Sequence, residues 1–154
     1  MTHVKLVGNA GERAAELAAL LAGAPCNIVA LGLEPGQVHL LCRQGGAKLA
    51  GNVPAGRSEA WASIAPNVLR YGVLEPLWDI SDDDLRAGVV EYSHDTQEVL
   101  EFLDAHPGST AFLLNPVTID SVMALADQGE RMPQKSTFFH PKLGTGLVFH
   151  PLNP

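Results

Sequence analysis

Two hydrophobic periods alternate along this chain. In residues 11–22 ("GERAAELAALLA") Leu17, Leu20 and Leu21 share one stripe of an alanine-rich run, which predicts a short helix lying on a sheet. Gly23 and Pro25 end it. Two runs of β character follow, 26–33 ("CNIVALGL") and 38–43 ("VHLLCR"), joined by "EPGQ". Pro35-Gly36 suits the centre of a type II turn, where glycine supplies the positive φ, so the pair predicts a β-hairpin.

Residues 44–57 ("QGGAKLAGNVPAGR") hold four glycines and a proline without a hydrophobic period, which predicts a mobile loop within a single domain spanning 1–154. From 58 to 80, Trp61, Ile64, Val68, Tyr71, Leu74 and Trp78 stand three or four apart. Pro66 and Pro76 interrupt that stripe, so a bent or two-piece helix is expected. The second half alternates: strand at 89–93, helix at 95–105, strand at 110–114, helix at 118–127, then β character to the end. Asp95 with Glu98 reads as a capping box, and Thr118 as an N-cap flanked by a Val117/Val122 staple. Helices mixed with at least two hairpins predict an α+β fold: a mixed, largely antiparallel sheet with helices packed mainly on one face.

At 154 residues the chain can bury one core. A net charge of −7 with scattered Lys and Arg excludes a nucleic-acid partner held through phosphates. Residues 17–33 are uncharged, yet Gly23, Pro25 and Asn27 break the run and it is short for a spanning helix, so no membrane partner is expected. Cys26 and Cys42 are too few for a disulfide framework and lack ligand spacing. They predict free thiols and a cytoplasmic location.

Three patterns invite chemistry. "DISDDD" (79–84) has clustered carboxylates, but it lacks the spacing and glycine of a calcium loop, whereas Ser81 is a good N-cap before a negatively charged first turn. Six histidines include no helical metal pair, so no metal or other cofactor is expected. The third pattern is "GERMPQKSTFFHPKLGTGLVFHPL" (129–152). It is not a Walker loop, since Gln134 replaces the second glycine and "STFFHP" does not open a helix. Arg131, Lys135 and Lys142 nevertheless bring three of the ten basic residues beside Ser136, Thr137, Thr145 and Gly146. Two readings stand: a hairpin that concentrates a small anion, or one whose lysines guard a sheet edge. Ser136 and His140, four apart, are the only local pair suggesting a nucleophile and base, and no third group orients them.

The segment 111–152 resembles the C-terminal signature of a bacterial and archaeal family known only as a domain of unknown function, number one thousand and fifteen. The resemblance rests on Met132, Pro133, Lys135, Ser136, Thr137, Phe139, Pro141, Lys142, Thr145, Gly146 and Leu147, in that order. It continues more faintly through "VLRYGVLEPLWDI" and "CNIVALGLEPGQVHLLCR". His140 stands where the family has tyrosine, and Arg70 where it has histidine. Longer relatives carry an upstream Ala-Asp-Gly-His-His-Arg type segment that residues 1–57 do not match. The resemblance therefore implies a non-catalytic or split module binding a small phosphorylated or carboxylated ligand at 131–146. The alternatives are an assembly module, forming a homo-oligomer or docking on a separately encoded catalytic subunit, and a small kinase- or hydrolase-like enzyme.

Overall fold

The hairpin forms as its turn chemistry requires. Strands β2 (Ile28–Leu31) and β3 (Val38–Leu41) pair antiparallel, Ile28 opposite Leu41 and Leu31 opposite Val38. Gln37 N–H donates to the Glu34 carbonyl at 3.2 Å and Gly36 takes φ 70°, as the second central residue of a type II turn must. The computed structural model describes residues 3–4, 9–23, 28–43, 48–133 and 136–137. Among these, β1 (His3–Val4) and β4 (Ala111–Leu114) complete an antiparallel sheet of order β1-β3-β2-β4. The fold is α+β.

Strand alternation divides the sheet into two faces. Val29, Leu31, Val38, Leu40 and Leu113 point to one, where α1 (Ala10–Gly23) supplies Leu17 and Leu21 and α6 (Thr96–Ala105) supplies Leu100 and Leu103. A two-point ion pair between Arg13 and Asp104 joins these helices. Helix α1 starts on a capping box, with Glu12 N–H donating to Asn9 Oδ1 and Asn9 N–H to Glu12 Oε2, each at 3.0 Å. Ile28, Ala30 and His39, on the opposite face, are also buried. There Phe112 meets Trp78, their ring centroids 5.2 Å apart.

The expected bent helix at 58–80 resolves into four pieces: α2 (Glu59–Ser63), α3 (Ala65–Leu69), a π-helical turn (Arg70–Leu74) and α4 (Glu75–Trp78). Both prolines explain the breaks. Pro66 has no N–H to continue α2 and sits in the first turn of α3, where none is needed. Ile64 is extended at the break, and the buried Asn67 side chain donates to the Trp61 carbonyl at 2.7 Å, replacing the lost helical donor. At the second break, Pro76 cannot supply the N–H that the π pattern would direct to the Tyr71 carbonyl, five residues back. Gly51 N–H supplies it, at 2.7 Å.

That bond docks residues 48–57, part of the expected loop, on the π-turn. Asn52 N–H donates to Glu75 Oε1 at 3.2 Å, and Leu49 and Val53 pack into a second core of Trp61, Ile64, Tyr71 and Leu125. Leu125 comes from α7 (Ile119–Asp127), which Thr118 caps by accepting Ser121 N–H.

Two expectations need correction. Residues 89–93 are not a strand: Val89 N–H donates to the Asp84 carbonyl, closing α5 (Asp82–Ala87), and β4 takes the place beside β2. The thiol of Cys42 is not free, because this residue is disulfide-bonded. Cys26, the chain's other cysteine, lies outside the described residues. The cytoplasmic expectation rested on free thiols and loses that ground. Among the described residues, no helix is long and apolar enough to cross a membrane.

Candidate functional site

The polar segment after α7 is reached through a fixed entrance. Ser58, the N-cap of α2, accepts Trp61 N–H at 3.0 Å. Its own N–H donates to Glu130 Oε1 at 3.0 Å, and its hydroxyl donates to Glu130 Oε2. Arg57 lies 4.0 Å from the same carboxylate, and its guanidinium stands 4.8 Å from the centre of the Trp61 ring. The two donors from Ser58 and the nearby arginine hold the Glu130 carboxyl below its usual range. The indole N–H of Trp61 donates to the Arg131 carbonyl at 3.0 Å, and Met132 packs beside the same ring cluster.

This arrangement has an electrostatic consequence. Glu130 would oppose an anion at Arg131, but its oxygens are already engaged by Ser58 and Arg57. The Arg131 backbone is tied inward while the residue remains exposed. Thr137 is exposed as well. Ser136 is half-buried, and its hydroxyl donates to the Pro133 carbonyl at 2.8 Å. That bond uses the only proton a serine nucleophile would give to a base. Lys135, His140, Lys142, Thr145 and Gly146 lie outside the described residues.

The acidic run 79–84 is a helix start. Ser81 accepts Asp84 N–H at 3.2 Å, Asp84 Oδ2 takes Ser81 N–H at 2.8 Å, and the Ser81 hydroxyl and N–H together lower the Asp84 carboxyl's affinity for protons. Among the described residues no group of three His, Cys, Asp or Glu side chains could hold a metal ion. The box expected at Asp95 closes through an intermediary. Asp95 accepts Gln97 N–H at 2.8 Å, while the Ser93 hydroxyl donates a hydrogen bond to Glu98 Oε2 and its oxygen accepts Asp95 N–H.

Sequence reading found Arg131, Ser136 and Thr137 but missed Arg57, Ser58, Trp61 and Glu130, which hold the entrance. Ser58 three positions before Trp61 carries a cap signal. Its partner Glu130 is 72 residues away, and no local pattern links them. No family model, curated protein or solved structure matches the chain, so a functional reading rests on this geometry and on the residues themselves.

Proposed function

We propose that the chain is a binding module, not an independent enzyme, and that it takes a small phosphorylated or carboxylated anion at segment 131–146. The carrying observation is the engaged carboxylate at the entrance: Ser58 and Arg57 occupy Glu130, Trp61 holds the Arg131 carbonyl, and Arg131 faces solvent beside them. In an acidic protein, cations concentrate an anion only where they converge. Arg131, Lys135 and Lys142 would supply the charge. Thr137, Thr145 and the Gly146 backbone would supply hydrogen bonds, and Ser136 could join only by giving up its bond to Pro133. That same bond speaks against Ser136 as a nucleophile.

The test is thermal unfolding with inorganic phosphate, pyrophosphate and citrate. A ligand at a hundred times its Kd raises stability by about 2.7 kcal/mol. At least one anion should raise Tm for the natural chain, and Arg131→Ala should remove most of that rise. If no anion shifts Tm, or Arg131→Ala responds as the natural chain does, the reading fails.

A further inference from the structure

A second surface carries a different signal. Leu77 (71% exposed), Trp78 (41%), Val89 (62%) and Tyr92 (61%) all fall within residues 77–92, so half of the large hydrophobic side chains exposed among the described residues lie in this one segment. Helix α5, which separates the two pairs, has six residues and is only about 9 Å long at 1.5 Å per residue. The same segment holds Asp79, Asp82, Asp83, Asp84 and Glu91 against a single base, Arg86. Grouped apolar side chains at the surface mark interaction sites, and Trp and Tyr are enriched at interfaces.

The surface is also held in shape. Ile80 N–H donates to the Leu74 carbonyl at 3.1 Å, the Ser81–Asp84 box starts α5, and Gly88 in the left-handed region ends it. Arg70 of the π-turn is paired with Asp82, and Trp78 rests on Phe112 of β4. A preorganised surface spends little of its binding energy on ordering.

We propose that the face formed by α4, α5 and residues 88–92 docks a cationic amphipathic segment of a partner protein. Charge selects this occupant. A second copy would bring its own net −7 to an acidic face, and an anionic lipid surface would be repelled, whereas a basic segment with apolar anchors satisfies both features. The apolar side chains of the partner would cover Leu77, Trp78, Val89 and Tyr92. Its lysines or arginines would meet Asp79 and Glu91. Asp82, Asp83 and Asp84 already serve Arg70, Arg86 and Ser81.

Calorimetric titration of the full chain with a synthetic leucine–lysine amphipathic peptide, and with its leucine–glutamate counterpart, tests this. The lysine peptide should bind saturably and the glutamate peptide should not. Leu77→Ser/Tyr92→Ser should weaken binding by about tenfold or more, as loss of interface anchors does. Asp79→Asn/Glu91→Gln should weaken it about tenfold and flatten its salt dependence. Asparagine suits the left-handed backbone of Asp79, where φ is 54°. Circular dichroism establishes that each variant is folded. If the double variant is not, Tyr92→Ser alone carries the comparison. Equal affinity for both peptides, affinity unchanged in the variants, absence of saturable binding, or a homodimer dissolved by Tyr92→Ser would each overturn the proposal.

Discussion

Glu130 shows how one side chain's role depends on a distant partner. Its carboxyl is held below the usual value by Ser58, and further by Arg57, so the folded state favours the ionised form. The stability this contributes is complete above the unfolded value, near 4.5, and is lost as pH falls through the lower folded value. Glu130→Gln should therefore lower Tm at neutral pH and flatten its decline on the acid side, measured by thermal melts across pH 3 to 7, a range chosen to bracket the usual carboxylate values of about 4. Gly51 is a second position where one atom matters. A Cβ there would lie 2.8 Å from the Tyr71 carbonyl oxygen, which accepts the Gly51 N–H. Gly51→Ala should cost about 1–3 kcal/mol through overpacking and loss of that bond. Denaturant unfolding of the variant checks it. The glycine is visible in the sequence, but the carbonyl it must approach is not.

At the scale of elements, local chemistry was legible wherever the cap or turn residues lie within a few positions of one another. Pro35-Gly36, Ser81 and Thr118 do what their spacing predicts, and Asp95 caps its helix although Glu98 reaches the Asp95 N–H only through Ser93. The helical stripe from Trp61 to Trp78 was legible only in part. Trp61, Ile64, Tyr71 and Leu74 are buried, but Trp78 leaves the stripe and meets Phe112 instead. The π-turn explains this: hydrogen bonds spanning five residues instead of four insert an extra position and rotate everything after it. Pro76 hints at a break, but its missing N–H is tolerated after a π-turn because Gly51 serves the Tyr71 carbonyl. The strand expected at 89–93 failed for a similar reason. Its β-branched residues fit a strand, yet the end of α5 takes the Val89 N–H and β4 occupies the sheet position next to β2.

Among the described residues, two buried clusters organise the fold. One lies between the sheet and helices α1 and α6, and the other joins Trp61, Ile64 and Tyr71 to Leu125 of α7. The disulfide at Cys42 follows directly on strand β3, which takes part in the first. Cys42→Ser should lower stability by about 2–4 kcal/mol, the usual effect of removing such a cross-link, and reducing agent should then leave the variant's melting curve unchanged. If the natural chain melts identically with and without reductant, the bond has no stabilising role. The sequence by itself determined the α+β class, the hairpin, the caps and the basic, hydroxyl-rich segment after α7, because each is written in residues close along the chain. Only the tertiary structure decided that Glu130 is engaged by Ser58 and Arg57, that Cys42 is bonded, and that Leu77, Trp78, Val89 and Tyr92 stay exposed. Those outcomes depend on which distant surfaces meet, and hydrophobic periodicity records that a face is apolar without recording what, if anything, covers it.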